Sequence, residues 1–303
     1  MEEKSFKFKA VDIVLLILTA LPIICGIVLK ILYTPQTEGI EITGALIYFT
    51  AKAPVSNLII TESQINSWLV IVSIFFACLY LTHGLKSNGK ISKRQILCEW
   101  IIEKTENMVN NDMGEYFKNF APFIAAIMAL SAFSSLLSLF GMYPPTSDLN
   151  VVAGWAVLVF ILITYYKMKC GPVQYLKSFA EPVPFLAPLN IISEFATPVS
   201  MAFRHYGNVL SGSVIATLVA AGLAGLSKAV FGWLPETLSS VPFLRIGVPA
   251  VLSVYFDIFS GCLQAFIFAM LTMLYVSGGF PEDLYRKRQE KKKLKKKIKT
   301  EVN

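Results

Sequence analysis

The sequence predicts an all-α polytopic membrane protein: about six membrane helices, the last two long and strongly inclined, plus one amphipathic helix on the cytoplasmic surface. Three observations predict it. Of 303 residues, 55% are hydrophobic and only 16% charged, against roughly 25% charge in soluble domains. The mean hydropathy is +0.60, and the apolar residues are gathered into long blocks between short polar connectors, as in a chain dissolved in lipid. The basic residues, finally, cluster on alternate connectors.

The whole chain, residues 1–303, reads as a single integral membrane domain. Residues 11–33 form a first transmembrane helix, apolar from Ile13 to Tyr33 apart from Lys30. Lys4, Lys7 and Lys9 precede it, as in a signal peptide, but the run is long for such a segment and no A-x-A site follows, so a retained helix is expected. Residues 34–66 make an external loop, whose β-rich runs IEITGALIYFTAK and NLIIT around Pro54 suit a small hairpin. A second transmembrane helix covers 67–85. In 91–118, apolar Ile96, Trp100, Ile101 and Met108 recur among charges at helical spacing, which fits an amphipathic surface helix. Residues 119–142 and 150–167, with uncharged interiors, form a transmembrane hairpin. Residues 186–231 and 243–278 form a hairpin of longer helices, and 282–303 a basic cytoplasmic tail. The 39 residues Pro188 to Leu226 would extend about 58 Å as one helix, nearly twice a roughly 30 Å hydrocarbon core. That helix must break, with Pro198 able to kink it, or incline strongly.

The net charge of +7 describes a tail and not a binding face. From Arg286 to Asn303 there are ten basic residues against Glu290 and Glu301, leaving 17 basic and 18 acidic in the other 285. A lysine-rich tail after an apolar span is a topology signal, so no nucleic-acid binding is expected. With both termini in the cytoplasm, 22 of the 27 basic residues fall inside. Cys25, Cys78, Cys98, Cys170 and Cys262 are odd in number and scattered, and suggest neither a disulfide framework nor a metal site. No Walker loop, nucleophile elbow or HExxH motif occurs, so neither a catalytic site nor a cofactor is expected.

The last two blocks differ from the others in carrying Glu194, Arg204, His205 and Asp257 in their interiors. An Arg or Asp at a helix centre costs roughly 2.5–3.5 kcal/mol on insertion scales, so such residues face a bundle interior or a water-filled path. An Arg204–Asp257 ion pair that only joins two helices is the plain alternative. Ser200, Arg204, Asn208 and Ser211 share one helical stripe, as do Asp257, Gly261, Gln264 and Phe268. Gly207, Gly212 and Ser213 would admit close backbone approach.

Three runs carry a resemblance: PPTSDLNVVAGWAVLVFILITYYKMK, PLNIISEFATPVSMAFRHYGNVLSG and DIFSGCLQAFIFAMLTMLYVS. With R-x-x-G-N at Arg204–Asn208 and a downstream QAFIF, the chain resembles subunit a of the rotary F-type ATP synthase from about Ile60 to Ser277. The resemblance implies an ion-channel subunit of the stator, not catalytic by itself, in a bacterial plasma membrane. Its partners would be the c-ring, the peripheral stalk subunit b and the rest of the complex, with anionic lipid at the basic tail. Arg204 matches the family's essential arginine, which faces the ion-carrying carboxylate of the c-ring. Asn208 and Gln264 match polar residues near it, and Asp257 stands where the family often has an ionisable residue lining the external half-channel. Ser213 joins that external path, and Glu194 is assigned either to the cytoplasmic one or, equally, to a pairing with a loop lysine at the interface.

The chain departs from the family in three places. His205 replaces a usual Leu and either joins the proton path or faces a polar neighbour. Ser213 stands where many members have a second carboxylate. The helix at 11–33 is additional to the core of five found in many members. Two other readings remain at this point, an anion transporter with Arg204 as ligand and a scaffold subunit. The first lacks the expected internal repeat, and the second leaves Arg204, Asp257 and Gln264 unexplained.

Overall fold

A computed structural model of the chain describes residues 10–34, 44–52, 57–85, 92–169, 171–181, 183–232, 244, 247–280 and 286. Lys4, Lys7, Lys9, Pro54, Cys170, Arg245 and the basic tail from Lys287 onward lie outside the described residues. The protein is an all-α polytopic membrane protein. Among the described residues six helices are long and apolar enough to cross a bilayer: Ala10–Tyr33, Glu62–Thr82, Glu115–Phe140, Leu149–Lys169, Pro184–Phe231 and Val251–Gly278.

Helix α1 (Ala10–Tyr33) is built of Leu, Ile and Val and packs along α2 (Glu62–Thr82). Gly26 permits this, since a Cβ there would lie 2.8 Å from Leu69 Cδ1 and 2.9 Å from Met142 Sδ. Ion pairs fasten both ends of α1. At one, buried Asp12 meets Arg94 Nη1 at 2.7 Å, and Arg94 also donates to the Tyr80 and His83 carbonyls that end α2. At the other, Lys30 lies 3.3 Å from Glu62. These ends define an Arg94 face and an opposite Glu62 face of the molecule.

Strands β1 (Ile47–Ala51) and β2 (Leu58–Thr61) pair antiparallel, with Thr50 opposite Ile59, and β2 runs directly into α2. Helix α2 starts at Glu62, five residues before the expected boundary at 67, because its polar first turn has partners. Glu62 accepts from the Tyr143 amide, Ser63 donates to Asp148, and Asn66 donates to the Tyr143 carbonyl. Polar residues thus extend the helix where hydropathy alone would end it.

Helix α3 (Lys93–Met113) begins at Ser92, whose hydroxyl accepts from the Gln95 amide, and ends at Gly114, whose φ of 84° suits a residue without a Cβ. The stretch expected as one amphipathic helix is therefore a helix followed by a tighter 3₁₀ turn, Glu115–Phe120. Ile96, Leu97 and Trp100 stay exposed, while Val109 and Met113 enter the core. Helix α4 (Ala121–Leu136) and α5 (Leu149–Lys169) follow, then the short α6 (Pro172–Ser178).

Helix α7 (Ala187–Phe231) is unbroken through Pro198 for 45 residues, about 67 Å. Of the two expected outcomes, break or incline, the unbroken helix leaves inclination. The last helix, α8, runs through Val248–Ser253, a π-helical Val254–Ser260 and Gly261–Gly278. The main core gathers at the Arg94 end, where Phe117, Phe120, Ile124 and Ile127 meet Ile163, Met201, Phe268, Met273 and Val276.

Arg94→Ala leaves Asp12 buried without its cation. It is expected to cost about 3 kcal/mol or more, read as a lowered thermal midpoint of the detergent-solubilised protein, and Asp12→Asn combined with Arg94→Met should recover most of it.

Candidate functional site

Helix α7 turns two unlike faces to its surroundings. Pro198, Met201, Ala202, His205 and Gly212 are buried against the bundle at helical spacing, while Ser200, Phe203, Arg204 and Ser211 are exposed. Arg204 belongs to no ion pair or hydrogen bond among the described residues. It projects beside Val199 and Phe203, both more than half exposed. The simple Arg204–Asp257 ion pair is not formed. A guanidinium carries its charge permanently, so this one stands unpaired on a membrane helix's outward surface.

One residue on, the geometry inverts. His205 is 0% exposed. Its Nε2 lies 3.3 Å from Ser131 Oγ on α4, and its Nδ1 has no partner. The rings of Trp155 and Phe268 meet it edge-on at 5.9 and 5.5 Å. A shift of one residue is about 100° around a helix, which separates an outward arginine from an inward histidine.

On α8, Gly261, Gln264, Ala265, Phe268, Ala269, Thr272, Met273 and Val276 are buried as one unbroken stripe. Asp257, one turn before Gly261, sits in the π-helical segment and is half buried; its neighbour Ser138 and the Gly261 neighbour Ser135 belong to one serine row. Its hydrogen-bonding neighbours are the Ser138 and Ser253 hydroxyls. Single π turns inside α-helices recur at functional sites.

Gln264 and Asn208 are brought together: Asn208 Nδ2 donates to Gln264 Oε1 at 3.3 Å. Two glycines set this approach. A Cβ on Gly212 would lie 2.9 Å from Phe256 in the π segment, and one on Gly261 would lie 2.8 Å from Ser135 Cβ on α4. Ser213 stands apart, exposed, with its hydroxyl donated to the Leu210 carbonyl at 2.9 Å; Ser211 likewise donates to Asn208 at 3.1 Å. These hydroxyls spend their protons on their own helix.

Glu194 belongs to a second locus at the Arg94 end. Both its carboxylate oxygens lie 2.7 Å from Lys167 Nζ, in the last turn of α5, and Tyr175 donates to Oε1 at 3.4 Å. Burial first, and the Glu194 carboxylate next, hold the Tyr175 phenol above its ordinary range, so it stays a donor. Lys167, Tyr175, Glu194, Thr197, Tyr275 and Gly279 line a cavity of about 480 Å³. Gly279 makes room for Lys167, whose Cε would sit 2.6 Å from a Cβ there.

The sequence reading allowed a loop lysine beside Glu194, a place taken by Lys167 of α5, but passed over Tyr175 and the serines of α4. The serines did leave a signal: Ser131, Ser134, Ser135 and Ser138 fall at i, i+3, i+4 and i+7 inside an uncharged span. No group of His, Cys, Asp and Glu able to hold a metal occurs among the described residues.

Six membrane helices, with an outward arginine on one and inward amides between two, define a polytopic membrane protein that handles charge inside the bilayer. Known proteins narrow that class. The sequence profile of the ATP synthase A chain family matches residues 64–277. ATP synthase subunit a of Geotalea daltonii is 32% identical over 221 residues, covering 71% of this chain and 86% of that protein. The Legionella pneumophila (Philadelphia 1) subunit a is 28% identical over 238 residues, covering 78% and 93%. That of Bacillus pumilus is 33% identical over 199 residues, covering 61% and 79%. The chain belongs to the ATP synthase A chain family, and so to the proton-transporting membrane sector of that enzyme.

Gly212→Ala is expected to destabilise the α7–α8 contact by about 1–3 kcal/mol through overpacking on Phe256. Thermal unfolding should show the loss and its partial rescue by Phe256→Ala.

Proposed function

We propose that this chain is the stationary partner of a rotating ring of c subunits, with Arg204 facing each ring carboxylate as it passes. The observation that carries the reading is the unpaired Arg204 on the outward face of α7. A permanent cation held at membrane depth needs an anion from outside the chain, since leaving it against lipid costs several kcal/mol. A ring carboxylate must be neutral to travel through lipid. Beside Arg204 its charged form is favoured, so it gives up its proton there and reloads elsewhere.

Two offset half-channels make that exchange directional. Asp257, with Asn208, Gln264 and Ser213, serves the external path, and His205 borders it. Glu194 serves the cytoplasmic path, where the cavity beside Lys167 and Tyr175 supports a hydrated vestibule. The core packed between the two loci supports a seal against direct leakage, and the fixed positive charge of Arg204 repels protons that would bypass the ring. Proton flow is then coupled to rotation and to ATP synthesis in the assembled complex, and the chain itself makes no ATP. The distribution of basic residues supports both termini on the cytoplasmic side of a bacterial plasma membrane. Peripheral stalk subunit b contacts the chain, and the basic tail meets anionic lipid.

The test is ATP-driven acidification of inverted membrane vesicles, with assembly checked on native gels. Arg204→Ala is expected to assemble and not pump, and Asp257→Asn to pump slowly. Normal pumping by assembled Arg204→Ala would sink the proposal. Arg204→Lys is also expected to fail, because a lysine loses its proton when its surroundings disfavour charge and cannot reproduce the guanidinium fork.

A further inference from the structure

One face of α4 changes character halfway along the helix. Toward the Arg94 face it buries Ala121, Ile124 and Ile127; toward the Glu62 face it buries Ser131, Ser134 and Ser135, with Ser138 following in the next turn. The apolar half is packed into the core with Met201, Phe268 and Met273. Three of the four hydroxyls in the other half stand beside polar groups of other elements. Ser138 neighbours Asp257, Ser135 Oγ lies 3.2 Å from Thr146 Oγ1, and Ser131 Oγ lies 3.3 Å from His205 Nε2. Between them, Ser134 is 0% exposed and its hydroxyl has no partner, and Ser147 beside Thr146 is buried with the same deficit.

A row of small hydroxyls is by itself ordinary helix packing. Here it holds completely buried polar atoms without partners, at Ser134 Oγ, Ser147 Oγ and His205 Nδ1. Native interiors pair such atoms with protein or with ordered water, and a buried water needs two to four polar partners, which this row supplies. The row ends at His205, where Trp155, Phe268 and the apolar half of α4 close it. His205 precedes Asn208 by three residues on α7, and its ring neighbour Phe268 follows Gln264 by four on α8, so the Asn208–Gln264 pair lies next along both helices.

We infer that a file of water follows the serine face of α4 from Asp257 to His205, and that His205 passes protons from this file to the Asn208–Gln264 pair beside Arg204. The inference rests on the proton-channel reading above and adds the route and the relay residue. In the relay step one ring nitrogen takes up a proton while the other releases one, so the imidazole returns to its starting charge. From the packed elements the ring is met by Ser131, Trp155 and Phe268, and no charged group among the described residues acts on it. The fixed charge of Arg204 lies one residue away, about 100° around the helix. Such a relay carries protons and not sodium ions, since an imidazole exchanges only the former.

The experiment measures ATP-driven acidification of inverted vesicles bearing the complete complex, with native gels for assembly and the thermal midpoint of the solubilised complex for packing. His205→Gln keeps a polar side chain able to bond Ser131 but cannot exchange protons between two ring nitrogens. It is expected to slow pumping more than about tenfold. Ser134→Ala removes a hydroxyl that has no partner, so the midpoint should hold or rise while pumping slows severalfold; this variant decides the matter if His205→Gln does not assemble. Wild-type pumping by either assembled variant overturns the inference, as does a Ser134→Ala that loses midpoint and pumping together, the mark of simple packing. Arg204→Ala runs in parallel: if it pumps normally, the failure lies in the stator reading and not in the route.

Discussion

Polar groups inside a hydrocarbon slab must meet either one another or water, and most of this structure follows from where each kind is satisfied. In lipid an unpaired backbone or side-chain dipole costs several kcal/mol. Helices answer for the backbone. For the side chains, Asn208 meets Gln264, Ser131 meets His205, Lys167 meets Glu194, and Asp12 meets Arg94. Arg204 meets no hydrogen-bond or ion-pair partner among the described residues, which is why it sets the question of function.

Small residues let the remaining contacts form. Between membrane helices there is no hydrophobic drive to pack, because lipid tails are as apolar as leucine, so close approach depends on residues with little side chain. Gly26 brings α1 onto α2, Gly212 admits Phe256, and Gly261 admits Ser135. The last two clamp α8 between α7 and α4 on either side of Asp257. The π segment holds Phe256 and Asp257 and ends where the buried stripe begins at Gly261.

Much of the fold was legible because hydropathy and length report directly on the bilayer. Four uncharged or nearly uncharged runs and two longer ones mark six spans, and the length of the fifth requires a break or an inclination, between which the unbroken α7 decides. The start of α2 was missed because Glu62, Ser63 and Asn66 look like loop residues until Lys30, Asp148 and Tyr143 are seen beside them. At the site, Arg204 and the Asn208 and Gln264 positions were readable from charge, spacing and resemblance. The π-helical turn that holds Asp257 went unread, because a π turn leaves no mark in a 3.6-residue pattern. The serines of α4 went unnoticed since serine is unremarkable in a membrane helix; only the burial of Ser134 and the contact of Ser131 with His205 give them meaning.

The ion pairs at the two ends of α1 also bear on how the chain is made. Synthesis runs from the N-terminus, so α1 emerges with Asp12 and Lys30 before the residues that neutralise them exist. Glu62 arrives with the start of α2, and Arg94 only after α2 has been completed. Until then α1 is a hydrophobic helix with an unmatched charge near each end. Arg94, bonding Asp12 and the last carbonyls of α2 together, precedes every residue of the proposed ion path in the chain. The first helix can therefore serve the nascent chain as a finished foundation, against which the Tyr143 loop and the channel helices are assembled afterwards.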